Sequence, residues 1–390
     1  MFNLHHRINR ILIKLSYRFG VSKLFSMPKM LALDPTNLCD LKCPLCPTGL
    51  RDKTIERGSI KLEQFKTIID RLAKHLQSIN LYSWGEPLLH KSLVDMIRHT
   101  AINHKVRTIT SVHLGNLSDE QVEGLAKSGL DKLIVSVDGA TQEVYEKYRV
   151  GGDIEKVFTN MNRLMEAKKR YNSKINVVWN FLVMKQNEHQ INLAKDRAKE
   201  IGVEITFSIM RTNLKDDILG KVENNIEKDA KWIPDNPDYN PYDLEKKTRK
   251  NPIKFCKRPW TETFINWNGD VFPCGCVVTE KKYSMGNVFE TSFEDVWNGE
   301  KYIARVGLQS RNTTSPALYT TSNKNNMMGN KDKLEVVLTG KTDNQSEVVK
   351  KYSFTRNSHL ISIEQTVKNL TSENSHWRQY NTLERGEETG

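Results

Sequence analysis

Cysteine is scarce in this chain of 390 residues, and what there is sits in two places. Six cysteines in that length exclude a disulfide-stapled secreted scaffold. Their clustering reads instead as metal binding in a reducing, cytoplasmic compartment. No apolar run reaches the ~18 residues that a membrane-spanning helix needs. There is no G-x-x-x-x-G-K-[ST] phosphate loop and no internal repeat. Acidic residues are fewer than basic ones, 47 against 59, which leaves a net charge of +12. That excess suits an anionic partner or substrate and says nothing about fold, and no nucleic acid is expected. With 38% hydrophobic and 27% charged residues, the chain is expected to be a soluble globular protein of two or three domains.

Near the N-terminus Lys14 interrupts the apolar run Ile11-Leu12-Ile13, and no small-residue cleavage site follows. A secretory signal is therefore not expected. Ile8, Ile11, Leu12, Leu15 and Phe19 share one helical face, and Arg7, Arg10, Lys14 and Arg18 line another. Residues 1–28 are expected to form an amphipathic basic helix. Packing of the apolar face on the main domain is the favoured reading. A weak contact with an anionic membrane surface is the rival.

From 29 to 210, apolar runs alternate with amphipathic stretches. Strands are expected at "MLALDPT", "SINLYSWGEP", "VRTITSV", "DKLIVSVDG", "INVVWNFLVM" and "VEITFSIM", with helices between them. The helix at "SDEQVEGLAKSG" opens with the capping-box pair Ser118 and Gln121 and stops at Gly129. Six strand–helix units imply a parallel sheet, a partial TIM-like (β/α)6 barrel of the α/β class. Ligands of such sheets sit at the carboxyl ends of the strands, where Thr36–Gly49, Trp84-Gly85-Glu86 and Ser136-Val137-Asp138-Gly139 all fall. Residues 211–251 read as an irregular linker, 252–308 as a small domain with the other three cysteines, and 309–333 as a polar linker. Residues 334–390 read as an all-β tail.

The first cysteine group is Cys39, Cys43 and Cys46, spaced C-x3-C-x2-C on a loop after the first strand. Structural zinc sites pair cysteines as C-x2-C with a second pair elsewhere, which fits poorly. Three thiolates on one loop can instead hold three irons of a [4Fe–4S] cube, leaving one iron open. With apolar Leu45 before the last cysteine, the loop resembles that of the radical S-adenosylmethionine (SAM) superfamily. The resemblance implies that SAM chelates the open iron and that a reduced cluster cleaves it to a 5′-deoxyadenosyl radical, which abstracts hydrogen from a substrate. It also implies a reducing electron donor of flavodoxin or ferredoxin type, and an oxidoreductase- or transferase-type enzyme acting on a peptide, sugar or partner protein.

The remaining motifs follow the same family. "YSWGEPLL" resembles its Gly-Gly-Glu element, with Trp84 in place of the first Gly; Gly85 would admit the methionine moiety and Glu86 would accept from its ammonium. "VSVDGATQEVYEKYRVGG" is similar to the fourth-strand region, where Ser136 would bond the ribose or carboxylate of SAM, Arg149 would pair with the carboxylate and Asp138 would order the turn. In "NFLVMKQNEHQI", Asn180 would face the ribose, with Leu182 or Val183 behind the adenine. His113, near the third strand's end, reads as a structural histidine. No catalytic general base or radical relay can be placed.

"CKRPWTETFINWNGDVFPC" carries Cys256, Gly269 and Cys274 in C-x(9–15)-G-x4-C spacing, followed by Cys276. It resembles the SPASM/twitch extension of radical SAM enzymes, which implies one or two auxiliary [4Fe–4S] clusters. The expected turn is Trp267-Asn268-Gly269-Asp270, and Trp297-Asn298 ends the following helix. Relatives supply a further C-x2-C pair, whereas no cysteine follows Cys276 here, so the extension reads as truncated and its cluster as incomplete. Residues 334–385 resemble part of the periplasmic β-sandwich of YidC-type membrane insertases. A foreign tail on a truncated protein leaves a second reading open, an inactive iron–sulfur and SAM-binding scaffold.

Overall fold

The computed structural model describes residues 4–19, 24–211, 226, 228–250, 258–275, 281–299, 302–310, 318–321, 333–341, 347–355, 361–368 and 377–385. Cys256, Cys276 and most of the polar linker lie outside them. The chain divides into two units, residues 1–303 with 383–390, and residues 304–382.

The first unit opens with helix α1 (Leu4–Phe19). The barrel then runs β1 (Met30–Leu33), α2 (Leu62–Leu72), β2 (Ser78–Asn80), α3 (Leu93–Arg98), β3 (Arg107–Val112), α4 (Asp119–Lys127) and β4 (Lys132–Ser136). It continues through α5 (Gln142–Tyr148), α6 (Ile154–Arg170), β5 (Asn176–Val183), α7 (Ile191–Ile201) and β6 (Glu204–Ile209). β1 to β6 pair in sequence order, all parallel, so the six-stranded partial barrel stands as the patterning implies. Helices pack their apolar faces on the sheet: Phe65, Ile68, Ile69 and Leu72 of α2 are all buried. Each such side chain stabilises the fold by about 1.5–3 kcal/mol. The Ser118–Gln121 capping box is present, and Gly129 closes the segment after α4 at φ +80.

Two short strands, β7 (Tyr242–Asp243) and β8 (Thr248–Arg249), follow in the region expected to be a linker. It is not a free linker. Trp232, Ile233 and Tyr242 are buried in one apolar cluster with Leu41, Cys43, Tyr148 and Met184, so they cover the back of the cysteine loop. Glu188 fixes the segment by accepting from the N–H groups of Asp235 and Asn236.

After α8 (Arg258–Thr261) come β9 (Glu262–Ile265) and β10 (Asp270–Phe272), then β11 (Gly286–Asn287) and α9 (Phe293–Trp297). The β9–β10 hairpin turns at Gly269, φ +87, as its sequence implies. It is not a separate small domain. β9 pairs parallel with β1, Leu31 opposite Thr263, and the sheet becomes nine-stranded in the order β11-β10-β9-β1-β2-β3-β4-β5-β6. Trp297 donates its Nε1–H to Ser26 O at 2.8 Å, and Asn298 exchanges hydrogen bonds with the backbone of Leu24.

Helix α1 departs from the favoured expectation. Among its described side chains Asn9, Ile13 and Ser16 are buried, and Asn9 exchanges two 2.9 Å hydrogen bonds with the backbone of Met27. Ile8, Ile11 and Leu15 are left 49%, 56% and 45% exposed. The polar docking of Asn9 sets this rotation, against the helix's own amphipathicity. No described helix is long and apolar enough to cross a membrane.

In the second unit, β12 (Tyr302–Ser310) and β17 (Trp377–Arg385) flank in sequence β13 (Leu318–Thr321), β14 (Lys333–Lys341), β15 (Glu347–Thr355) and β16 (Ile361–Lys368). The last four form an antiparallel meander, the all-β tail that period-two patterning implies.

Candidate active site

The cysteine loop leaves β1 and is stapled at its stem. Thr36 Oγ1 donates to Gly58 O at 2.9 Å, Gly58 N–H donates to Asn37 Oδ1 at 2.9 Å, and Asn37 donates to Glu56 O. Inside the loop, Cys46 N–H donates to Cys43 O and Leu50 N–H to Cys46 O. Gly49 crosses so close that a Cβ would lie 2.5 Å from Cys43 N and O. Lys42 N–H donates to Val150 O, and Glu86 N–H to Leu38 O, so the loop is tied to the turn after α5 and to the segment after β2.

All three thiols are free and line one cavity of about 220 Å3 with Trp84, Gly85, Glu86, Ser136 and Arg149. The sequence-derived set is thus brought together except for Asn180, which is not among the lining residues. Its Oδ1 accepts from Ser208 and Thr206 of β6. Tyr82, Ser83, Ser111, His113 and Tyr148 also line it, with apolar Leu45 and Val112. Ser111 and Ser136 lie Oγ to Oγ at 3.3 Å, at neighbouring strand ends.

Gly85 is required by packing: a Cβ there would meet Thr36 O at 1.9 Å. Glu86 is buried and already bonded. It accepts from Leu88 N–H at 3.2 Å and from His113 N–H at 2.7 Å, which braces the end of β2 against the end of β3. Burial pushes its carboxyl up, opposed by His113. Trp84 packs beside Phe264 and Phe272 of the hairpin. His113 is more than a strand-end filler. Its Nε2 lies 2.7 Å from Asp40 Oδ1 and 3.4 Å from Glu86 Oε2, and its Nδ1 lies 3.0 Å from Gly115 N. Burial pulls the imidazole down, but Glu86 and Asp40 outweigh it and push it up to about 10.

Arg149 anchors the opposite wall. Its Nε donates to the fully buried Asp138 Oδ2 at 2.6 Å, and its Nη1 lies 4.0 Å from Cys43 Sγ. Asp138 also accepts from Leu182 N–H at 2.8 Å, which ties the segment after β4 to β5. Burial pushes the Cys43 thiol up to about 11, against Arg149. Cys46 is likewise raised by burial, against the N–H groups of Gly49 and Thr48. Three thiols held together in so dry a site become thiolates when a cation neutralises them, which is the behaviour of metal ligands. The donor set therefore fits a cluster with three cysteine ligands.

Residues 33–198 match the family model of the radical SAM superfamily. The chain carries a radical SAM domain. Residues 256–322 match the SPASM iron–sulfur cluster-binding domain. Residues 293–390 match the YidC periplasmic domain, overlapping the SPASM match at its end. The AdoMet-dependent heme synthase of Methanosarcina barkeri is 23% identical over 307 residues, covering 72% of this chain and 84% of that protein. The PqqA peptide cyclase of Rhodopseudomonas palustris is 33% identical over 136 residues, 34% of each chain. A GTP 3',8-cyclase of Clostridium botulinum is 26% identical over 180 residues, 45% of this chain and about half, 54%, of that one. In fold, the chain resembles Streptococcus suis SuiB bound to S-adenosylmethionine, with a TM-score of 0.53 at 18% identity over 75% of this chain and 69% of SuiB.

A radical SAM domain binds a [4Fe–4S] cluster and SAM, and a SPASM domain binds additional iron–sulfur clusters. Of the SPASM cysteines only Cys274 is described; it is half-buried and follows β10. The domain's hairpin also reaches the radical SAM loop, because a Cβ on Gly58 would lie 2.4 Å from the Trp267 ring. His113 was the main residue that sequence reasoning set aside. Its signal was its place at the end of β3, one strand over from Glu86.

Proposed function

We propose that this radical SAM enzyme cleaves SAM reductively and uses the resulting 5′-deoxyadenosyl radical to abstract hydrogen from an organic substrate. The supporting observation is the convergence of Cys39, Cys43, Cys46, Ser136 and Arg149 on one cavity at the strand ends. When bound, the cluster supplies one electron to the sulfonium, which releases methionine and the radical. The chain's own residues bind and orient. Arg149, held on Asp138, presents its guanidinium for the carboxylate of SAM. Ser111 and Ser136 offer hydroxyls, and Glu86 with His113 holds the strand ends rigid. Leu41, Tyr148 and Met184 keep water from behind the cysteines. By their names the relatives synthesise heme, cyclise a peptide and cyclise GTP, and SuiB has been crystallised with its precursor peptide SuiA. For this chain a peptide, sugar or partner protein is the proposed hydrogen donor, and an acidic flavodoxin or ferredoxin is the proposed electron donor, suited to a net charge of +12.

The test is anaerobic turnover of the reconstituted chain with dithionite, reading 5′-deoxyadenosine and iron. Formation that disappears in Cys39→Ala/Cys43→Ala/Cys46→Ala supports the reading. Bound iron and SAM with no cleavage overturns it in favour of the inactive scaffold. About eight irons per chain falling to about four in the triple variant marks an auxiliary cluster on Cys256, Cys274 and Cys276; about four falling to none marks a single cluster.

The exposed Ile8, Ile11 and Leu15 of α1, beside exposed Arg7, Arg10 and Lys14, favour a second property, contact with an anionic membrane surface. Co-sedimentation with phosphatidylglycerol vesicles that is lost in Ile11→Asp supports it; equal sedimentation of both chains overturns it.

A further inference from the structure

A second group of metal-ligating side chains lies on the outer helical layer, on residues that play no part in the cysteine site. Asp70 of α2 meets His99 and His104, which bracket the π-helical segment His99–Asn103 that continues α3. His99 Nε2 and His104 Nε2 lie 2.7 Å and 2.6 Å from the same oxygen, Asp70 Oδ1. The three ligand atoms all fall within 4.8 Å of one another. The two imidazoles stand edge to face, 4.9 Å between centroids.

The backbone creates this juxtaposition. On an α-helix, residues five apart point in different directions. In a π-helix the i→i+5 hydrogen bond widens the turn, which carries His99 and His104 to one side. π segments are rare and costly, and here the segment sets two imidazoles over one carboxylate.

We propose that Asp70, His99 and His104 form a binding site for one divalent transition-metal ion of the zinc type. Two imidazole nitrogens and one carboxylate oxygen are a three-ligand set for such an ion, with water as the fourth ligand. An ion at about 2.0–2.1 Å from each ligand sets neighbouring ligand atoms roughly 3.3 Å apart. Opening the two N···O contacts by about 0.6 Å admits it, a small rotation for an exposed carboxylate and two partly buried imidazoles. The shell behind the ligands is in place. Asn103 Nδ2 lies 3.4 Å from His99 Nδ1. When the metal takes Nε2, the ring proton moves to Nδ1 and the Asn103 amide turns its oxygen to accept it. Bound metal would clamp α2 to the end of α3.

The experiment uses the untagged, anaerobically reconstituted chain with its remaining thiols alkylated. Zn2+ alone is titrated by equilibrium dialysis into the wild type and into His99→Gln/His104→Gln. One Zn2+ per chain in the wild type that is absent from the double variant, with iron content equal in both, is the expected result. Asp70→Asn is expected to weaken binding about tenfold or more. Equal Zn2+ uptake by wild type and double variant overturns the proposal, because the histidines then hold no ion and serve Asp70 by hydrogen bonds alone. Co2+ in place of Zn2+ provides an independent reading. Visible d–d bands without a near-ultraviolet thiolate band support N/O ligation, and a thiolate band overturns it.

Discussion

At the scale of single residues, the cavity is held by a few buried polar contacts, each with a measurable cost. Arg149→Ala leaves Asp138 as an unpaired buried carboxylate and is expected to lower stability by about 3–5 kcal/mol by urea denaturation. Arg149→Lys keeps the charge but loses the planar fork, so weakened SAM binding by calorimetry with the fold retained is expected. Gly85→Ala drives a Cβ into Thr36 O and should strip iron from the protein on desalting, because the stem of the cysteine loop has to move. Asp34 is buried with its Oδ1 unbonded, and burial pushes its carboxyl up to about 8 against the pull of Trp84 N–H. Its folded value lies above its unfolded one, so the folded state alone keeps the proton between about pH 4 and pH 8. The stability it contributes is full below that window and is lost as pH rises through it. In Asp34→Asn the pH slope of the urea midpoint should flatten over that window; an unchanged slope would remove Asp34 from the account. The residues with chemistry written into their spacing, the three cysteines and Trp84-Gly85-Glu86, were legible in the sequence. The triangle of Asp40, Glu86 and His113 was not, because it joins the cysteine loop to the segments after β2 and β3, which share no local pattern.

At the scale of elements, the six barrel strands and their helices could be read because each is amphipathic within its own length. The capping box before α4 could be read for the same reason. The pairing of β9 with β1 could not, since a parallel pair leaves no mark on the sequence between its strands. Nor could the rotation of α1, where Asn9 decides which face is buried. The hairpin's contact with the cysteine loop carries a consequence for cluster retention. Trp267 packs on Gly58 at the loop stem, so Trp267→Ala is expected to speed iron loss to a chelator while leaving total iron after reconstitution unchanged. Equal rates would show that the hairpin does not steady the loop.

At the scale of the whole molecule, the charge is the property that acts at a distance. A net charge of +12 would attract the proposed acidic redox partner before any contact is made. Reduction by a flavodoxin-type donor should therefore slow as ionic strength rises toward 0.15 M or so, where screening acts within ~8 Å, while reduction by small dithionite should change less. Stopped-flow traces at two salt concentrations decide this.

The seam between β1 and β9 also governs the order of assembly. Leu31 and Thr263, opposite each other in the sheet, stand far apart along the chain. At a synthesis rate of ~5–20 residues per second, β9 leaves the ribosome roughly 12–46 s after β1. During that interval β1 is an edge strand, and the cysteine loop lacks the lid that Trp267 later places on its stem. Such long-range pairing is slow to form and late to be rewarded. Until β9 pairs, the nascent chain thus carries Cys39, Cys43 and Cys46 on a loop whose stem Trp267 does not yet cover.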